Sequence, residues 1–324
     1  MKAAVLKQTG TAPVYEDFPD PVPAGDQQLL IHIKTASVKN LDKARAAGTH
    51  YANYTQLPVV VGIDGVGTLE DGTLVYAQGI SGTIAEKAII HKGQYIVLPP
   101  GINPDVAAAL PNAILGSAMA LRYRAQLQAG QTVLINGATG VTGMMAVQLA
   151  KLMGARKVIA TGRNARQLEK AIALGADDTI SLLQTDAAIT EQVKQLQAQT
   201  PVDIVLDYLW GKPTALILDA FRGGSVHHTA GKIKVVTVGA MAGDALPVSS
   251  AALRSADIEL MGSGFGSLTP KDFDAFNKTM LPEMFERAAA KQLKIDLDIE
   301  PLINIEAAWN KPLDAGKRLV IEIS

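Results

Sequence analysis

The sequence contains no cysteine, which excludes several kinds of chemistry at once. A chain without thiols forms no disulfide, has no thiolate nucleophile, and cannot hold an iron–sulfur cluster or a sulfur-ligated zinc ion. Only five histidines remain as candidate nitrogen ligands for a metal. We therefore expect no metal site.

The sequence also lacks an excess of charge and a long apolar run. Its 30 basic and 31 acidic side chains give a formal net charge of −1, whereas nucleic acid and anionic membranes attract clustered Lys and Arg. The weakly polar stretch 106–121 contains Pro111 and is shorter than the ~18 residues of a membrane helix. The apolar run 3–6 is shorter than a signal-peptide core of about 7–15 residues. These features predict a cytoplasmic protein without nucleic-acid or membrane partners.

The spacing of apolar residues changes twice along the chain. Short β-rich runs separated by Gly and Pro come first. From Asp105 onwards apolar strands alternate with helices, which indicates a parallel sheet with helices on both faces. After Thr269 the pattern predicts one long amphipathic helix through Ala290, and then short strands to the end. We expect strands at 29–35, 59–61, 82–91, 95–98, 132–136, 157–161, 179–182, 202–208, 235–239, 258–261 and 317–323.

This pattern predicts two domains, one inserted into the other. Residues 1–108, completed by 268–324, should form a β domain to which both ends of the chain contribute. Residues 109–267 should form an α/β domain with a doubly wound parallel sheet.

A glycine-rich turn follows the first strand of the α/β domain and precedes a helix. Ala138, Gly140 and Gly143 match the dinucleotide fingerprint, with Ala in its first place. Gly140 would admit a pyrophosphate, and Gly143 would let the helix approach the strand. The amide groups of Val141 and Thr142 would lie at the positive end of the helix dipole. Glycines at a tight turn are the alternative, but the strand–turn–helix context favours dinucleotide binding.

The end of the next strand indicates which dinucleotide is bound. An NAD site has Asp or Glu about 20 residues after the fingerprint, where it accepts from the ribose 2′-hydroxyl. This chain has Gly162, Arg163 and Asn164 there, and no carboxylate. A guanidinium can pair with a 2′-phosphate that a carboxylate would repel. The segment therefore predicts NADPH; a solvated Arg at the start of a helix is the alternative.

Further cofactor contacts should come from strand ends at the same edge of the sheet. The candidates are Tyr208, Gly239 and the group Phe265, Gly266 and Ser267, together with Asn112 on the helix that links the domains. Ordinary turn chemistry is the alternative role, especially for the glycines.

Several segments together resemble the medium-chain dehydrogenase/reductase superfamily, and within it the zinc-free quinone oxidoreductase branch. The resemblance covers essentially the whole chain. It implies a GroES-like β-barrel catalytic domain, a Rossmann NADP-binding domain and an active site in the cleft between them. A homodimer through the exposed edge of the Rossmann sheet would follow by analogy. The segments that carry the resemblance are 57–67, 107–111, 146–150, 257–263 and 316–320.

The resemblance also shows where this chain departs from zinc-dependent members. Those members place a Cys ligand where this sequence has Lys39, and a His ligand where it has Ile63. Without zinc, an alcohol or a simple carbonyl loses the electrophile that polarises its oxygen. Quinones and α,β-unsaturated carbonyls need less polarisation, because the anion formed by hydride addition is delocalised. The zinc-free branch often has Asn-x-x-Asp in this loop, and here Lys39 replaces the Asn while Asp42 is kept.

Three side chains of the β domain are candidate catalytic groups. Tyr51 or Lys39 could donate a hydrogen bond or a proton to a developing enolate oxygen, and Asp42 lies in the same loop. Alternatively, Asp42 pairs with Lys39 or Arg45 and orders the loop. Tyr54 and Tyr76 extend the aromatic set around this loop, or simply fill the wall of the cleft.

Tyr208 and Lys212 have the Tyr-x-x-x-Lys spacing of the catalytic pair of short-chain dehydrogenases. That pair lies on a helix, whereas Gly211 and Pro213 indicate that the strand runs into a loop. We therefore discount this motif.

The hypothesis from sequence is a zinc-independent, NADPH-dependent oxidoreductase that reduces a quinone or enone substrate. A zinc-free alcohol or aldehyde reductase is the alternative among enzymes. A non-catalytic NADPH-binding redox sensor is the alternative of a different class.

Overall fold

The computed structural model describes residues 1–50, 52–222 and 231–323. The chain divides into two compact units, one formed by Met1–Asn112 with Thr279–Ser324 and the other by Ala113–Lys278. The domain limits expected from sequence, 1–108 with 268–324 and 109–267, stay predictions. None of the described helices combines the length and the apolar character that crossing a membrane requires.

Strands and helices alternate through most of the described chain. The strands are β1 (Lys2–Leu6), β2 (Val14–Asp17), β3 (Gln28–Val38), β4 (Val59–Val60), β5 (Asp64–Thr68), β6 (Leu74–Gly79), β7 (Lys87–Val97), β8 (Thr132–Asn136), β9 (Lys157–Gly162), β10 (Asp178–Ser181), β11 (Ile204–Asp207), β12 (Ile233–Thr237), β13 (Ile258–Gly262), β14 (Asp296–Pro301) and β15 (Lys317–Glu322). The α-helices are α1 (Asn40–Ala46), α2 (Pro104–Met119), α3 (Val141–Leu152), α4 (Ala165–Ala173), α5 (Asp186–Gln199), α6 (Gly211–Ala220), α7 (Ser250–Ser255), α8 (Pro270–Ala275), α9 (Leu281–Ala289) and α10 (Ile305–Asn310).

The first unit is built around a six-stranded sheet with the order β14-β15-β3-β5-β6-β7, in which β3 also pairs with β7. This extra pairing closes the ring of β3, β5, β6 and β7 into a small barrel, as expected for the GroES-like fold. Along β3, Ile31 and Ile33 are buried while His32 between them is exposed, the alternation of a strand with one face in a core. The last strand, β15, pairs with β3, so segments far apart in sequence share this sheet, while β1 lies in a separate three-stranded sheet with the order β2-β1-β4.

The second unit contains a six-stranded parallel sheet with the order β10-β9-β8-β11-β12-β13. The strand order reverses between β8 and β11, which is the Rossmann arrangement predicted from sequence. The central strand β8 is buried along its whole length, because helices cover both faces of a sheet of this kind. The carboxyl ends of β8, β9 and β11 therefore meet at one edge of the sheet.

Two local predictions from sequence were wrong. The residues after β11 form helix α6, and not a loop, because Gly211 and Pro213 lie in its first turn, where a missing N–H is tolerated. The long helix expected after Thr269 is divided into α8 and α9 by the π-helical turn Phe276–Met280.

Candidate functional site

The turn that joins β8 to α3 depends on the absence of two side chains. Gly137 has φ +93°, a conformation that favours glycine. A Cβ atom on Gly143 would lie 2.4 Å from the carbonyl oxygen of Gly137 and 2.6 Å from the Cα atom of Ala138. Any side chain at position 143 would therefore push helix α3 away from the turn, as the fingerprint predicts.

The surroundings of Gly140 are open, whereas those of Gly143 are crowded. It precedes the first residue of α3, no side chain caps this helix, and a Cβ atom on Gly140 would find no heavy atom within 4 Å. Val141 and Thr142 are the first helical residues, and the N–H groups of a first turn have no acceptor within the helix. This open, donor-rich helix start has the shape and the charge to accept a phosphate group.

The end of β9 packs directly against this turn. A Cβ atom on Gly162 would lie 2.2 Å from Cγ2 of Thr139, so the close contact requires glycine. Arg163 follows and is exposed. Asn164 caps α4, because its Oδ1 accepts the N–H of Gln167 at 3.1 Å. Asn164 therefore has the helix-start role that was the alternative for this segment. Its side-chain amide nitrogen remains a hydrogen-bond donor.

The other predicted strand-end residues differ in what they can offer a ligand. The hydroxyl of Tyr208 lies 2.6 Å from Oγ of Ser117, and burial raises the pKa of this tyrosine. Tyr208 therefore uses its hydroxyl inside the second unit. Gly239 lies close to the backbone of the same tyrosine, because a Cβ atom there would be 3.0 Å from its carbonyl oxygen.

The predicted group Phe265, Gly266 and Ser267 forms a 3-10 turn. Arg124 holds this turn by donating from Nε to the carbonyl oxygen of Gly262 at 2.8 Å and from Nη1 to that of Ser267 at 3.4 Å. The ring of Phe265 is 60% exposed and stacks on Phe273. Arg124 gave no sequence signal, since its acceptors are backbone atoms more than a hundred residues away.

In the first unit, Lys39 lies at the centre of a buried charge cluster. Its Nζ is 2.7 Å from Oδ1 of Asp64, 3.3 Å from Oδ2 of Asp42 and 2.8 Å from the carbonyl oxygen of Ser37. Lys39 is only 2% exposed, and Asp42 is completely buried. The pairing of Asp42 with Lys39 is therefore present, and it connects β3, α1 and β5. Tyr51, the third predicted catalytic residue, lies outside the described residues.

The charge states in the cluster follow from burial and from mutual attraction. Burial opposes the charged form of Lys39, but Asp42 and Asp64 outweigh it and raise the pKa of this lysine. Burial raises the pKa of Asp42, and Lys39 opposes that shift. The hydroxyl of Tyr76 donates to Oδ2 of Asp64 at 3.0 Å, so Tyr76 joins the cluster.

A second cation, Arg318, lies in the same region of the first unit. Burial lowers the pKa of Arg318, while Asp42 and Asp64 oppose that shift. Its Nη2 donates to Oδ1 of Asn112 at 3.1 Å. This bond uses the side-chain amide oxygen of Asn112. The predicted contact between Asn112 and the cofactor would therefore use its amide nitrogen.

Comparisons with known proteins agree with this geometry. Residues 141–282 match a family described as zinc-binding dehydrogenase. The probable NADPH-dependent quinone reductase tdiC of Emericella nidulans is 27% identical, over 98% of this chain and 99% of that protein. The quinone oxidoreductase of Thermus thermophilus is 27% identical, with a TM-score of 0.77 over the full length of both chains. Quinone oxidoreductase-like protein 2 of Rattus norvegicus is 25% identical over 80% of this chain and 74% of its own.

These matches support a quinone oxidoreductase-like protein of the medium-chain dehydrogenase/reductase superfamily. They also support an oxidoreductase enzyme.

The described residues around Lys39 do not fit a catalytic zinc ion. In the described part of the chain, no group of three or more His, Cys, Asp or Glu side chains could hold a metal. The ammonium group of Lys39 already lies between Asp42 and Asp64, and Ile63 offers no ligand atom. A divalent cation would have to displace a buried positive charge.

The glycine turn gives a matched pair of variants. Gly143→Ala should lower the free energy of unfolding by about 2 kcal/mol, because the new methyl group overlaps the turn backbone. Gly140→Ala should cost less than about 1 kcal/mol, because its methyl group points into open space, but should weaken binding of a nicotinamide dinucleotide. Urea denaturation and calorimetric titration measure the two effects. Equal losses of stability in both variants would contradict the packing described.

The charge cluster predicts an unequal response of two lysines that each bind two carboxylates. Lys39→Met should destabilise the protein by about 3–5 kcal/mol, because two buried carboxylates lose their counter-ion. Lys311→Met, which removes exposed pairs with Asp298 and Glu300, should destabilise the protein much less, because solvent screens these charges.

The cost of Lys39→Met should also depend on pH. Burial already raises the pKa of Asp42, and Lys39 opposes that shift. Without the ammonium group the folded-state pKa of Asp42 rises further above its unfolded value, so the folded variant gains a proton as the pH falls. Urea denaturation should show a smaller loss at about pH 5 than at about pH 8, and Asp42→Asn in the Lys39→Met background should restore part of it. A loss that does not vary with pH would mean that the carboxylates are not the cause.

Proposed function

We propose that the protein is a zinc-independent, NADPH-dependent oxidoreductase that transfers hydride to a quinone or an α,β-unsaturated carbonyl. The observation that carries the proposal is the end of β9, where Gly162 packs against the glycine turn and the exposed Arg163 follows. Arg163 therefore directly follows the residue that contacts the glycine turn, which supports its assignment to a 2′-phosphate. The names of two relatives support it, since one is a probable NADPH-dependent quinone reductase and the other is a quinone oxidoreductase solved with NADPH.

Each part of the dinucleotide has a candidate partner in the second unit. The amide groups at the start of α3, after Gly140, would hold the pyrophosphate. Arg163 would pair with the 2′-phosphate, and the amide nitrogen of Asn164 would donate a further hydrogen bond. NADPH supplies the hydride.

The first unit explains why a delocalised acceptor is favoured. The Lys39 ammonium group donates to the carbonyl oxygen of Ser37 and forms ion pairs with Asp42 and Asp64. Lys39 and Asp42 therefore act in this proposal as positioning residues that shape the loop after β3. A substrate that spreads its own negative charge, as a quinone or an enone does, needs no metal ion and no strong donor. Tyr51 or water would deliver the proton.

The cofactor assignment predicts the effect of one substitution. Arg163→Ala should weaken NADPH binding by about tenfold or more and leave NADH binding unchanged, because only NADPH carries the 2′-phosphate. Arg156→Ala is the matched control, since Arg156 is exposed at the opposite end of β9 and the variant loses the same charge. Isothermal titration calorimetry measures the six affinities of the parent and the two variants for NADPH and NADH. Equal binding of NADPH and NADH by the parent protein would refute the phosphate-site assignment.

The substrate assignment is tested by NADPH oxidation with a panel of acceptors. Quinones and enones should be reduced, and activity should not change after treatment with a metal chelator, because no zinc ion takes part. Turnover of aldehydes alone would favour an aldehyde reductase. NADPH binding without turnover of any acceptor would favour a redox sensor. One equivalent of zinc in the purified protein, removed together with activity, would overturn the metal-free mechanism.

A further inference from the structure

A buried carboxylate lies at the edge of the parallel sheet where the dinucleotide would bind. Asp207 is the last residue of β11 and is completely buried. Its Oδ1 accepts hydrogen bonds from Nδ2 of Asn136 at 2.9 Å and from the backbone N–H groups of Leu209 at 3.0 Å and Trp210 at 3.2 Å. Its Oδ2 accepts from Oγ1 of Thr214 at 2.8 Å. These four donors are neutral, so hydrogen bonds alone compensate the charge that burial isolates from water.

The hydrogen bonds extend from Asp207 to the ends of two neighbouring strands. Asn136 ends β8, and its Oδ1 accepts from Oγ1 of Thr161 in β9 at 2.8 Å. The same Thr161 oxygen accepts the N–H of Gly137, the first residue of the glycine turn, at 3.2 Å. One network therefore connects β8, β9 and β11. Two of these strands, β8 and β9, lead into segments that the proposed function assigns to the cofactor.

The turn held by Asp207 contains a backbone conformation that is unfavourable for its residue. Trp210 has φ +55° and ψ −165°, a region in which a bulky L-residue is strained. The next residue, Gly211, also has positive φ, and a Cβ atom there would lie 3.0 Å from the carbonyl oxygen of Ala242. Such strain persists only where surrounding interactions impose it, and it is concentrated at functional sites. The two N–H bonds to Asp207 are such interactions.

The strained turn contacts the glycine turn directly. A Cβ atom on Gly137 would lie 2.9 Å from Cγ of Leu209, so the leucine side chain packs against the backbone of Gly137. The position of the turn at 208–211 thus limits the conformations open to the first residue of the phosphate-binding turn.

We propose that Asp207 is a positioning residue of the dinucleotide site. Its carboxylate holds the strained Leu209–Trp210 turn against Gly137 and, through Asn136 and Thr161, fixes the glycine turn in its phosphate-binding conformation before the ligand arrives. The inference rests on the proposed function, because it assumes a dinucleotide as the ligand. A carboxylate suits the position because both of its oxygens accept hydrogen bonds. The side-chain amide of an asparagine would instead direct its own N–H bonds at the donors on one side.

The test compares the affinity for NADPH in four proteins. Asp207→Asn should bind NADPH about tenfold or more weakly than the parent, because hydrogen bonds to a charged group are lost. Trp210→Gly should relieve the strain, since glycine adopts positive φ freely. In the Trp210→Gly background, Asp207→Asn should therefore weaken NADPH binding less than it does in the parent, because only the network through Asn136 and Thr161 remains to be lost.

The matched control is Asp203→Asn at the other end of β11. Oδ2 of Asp203 accepts the backbone N–H of Thr132 at 2.7 Å, so this variant also loses a carboxylate bond between β11 and β8. It should lower the thermal midpoint without weakening NADPH binding. If both carboxylate variants lose affinity in proportion to their loss of stability, Asp207 is merely structural and the proposal is wrong.

The remaining outcomes are equally decisive. Parent-like affinity in Asp207→Asn, or the same loss in the Trp210→Gly background, would overturn the positioning role. If Asp207→Asn does not fold, Thr214→Val replaces it in the test, because it removes one of the four donors and keeps the carboxylate. This variant should bind NADPH about threefold more weakly than the parent. Unchanged affinity would refute the positioning role. A parent protein that binds neither NADPH nor NADH would refute the proposed function itself.

Discussion

The chemistry of the first unit depends on the contacts of the Lys39 ammonium group. This group brings the end of β3, the start of α1 and the start of β5 together through one carbonyl and two carboxylate oxygens. Burial of these groups costs free energy that only close, mutually satisfying contacts can offset. The same contacts leave no vacancy for a divalent cation between Asp42 and Asp64. One side chain thus explains both the order of this loop and the class of acceptor that we propose.

The two units bury acidic side chains in different ways. In the first unit Asp42 and Asp64 are neutralised by cations, Lys39 at contact distance and Arg318 through its longer-range attraction. In the second unit Asp207 has only neutral donors. The first unit therefore depends on ion pairing, and the second on the placement of neutral hydrogen-bond donors around Asp207.

Sequence predicted those features that are encoded by neighbouring residues. The strand 132–136, the glycine turn and the following helix were found because apolar residues and glycines alternate locally there. Helix α6 was missed because Gly211 and Pro213 usually end regular structure, although both are tolerated in a first turn. The roles of Asp64, Arg124 and Asp207 could not be found, since their partners are distant in sequence or are backbone atoms.

Several predictions concern features that lie beyond the described geometry. Tyr51 as a proton donor, the cytoplasmic location and the homodimer stay predictions. The resemblance to the zinc-free branch came from several segments of the chain, with Lys39 and Ile63 at the positions of the zinc ligands. What the sequence could not indicate is that Lys39 lies between Asp42 and Asp64, because that depends on how β3 and β5 pair.

Two adjacent residues at the end of β9 have separate roles, one in packing and one in the choice of ligand. Gly162 cannot change without displacing Thr139, whereas the side chain of Arg163 is exposed and can change without disturbing that contact. Under the proposed function, descendants of this protein could exchange one pyridine nucleotide for the other through mutation of a single codon. Metabolic demand, and not the stability of the fold, would then decide which reductant such lineages use.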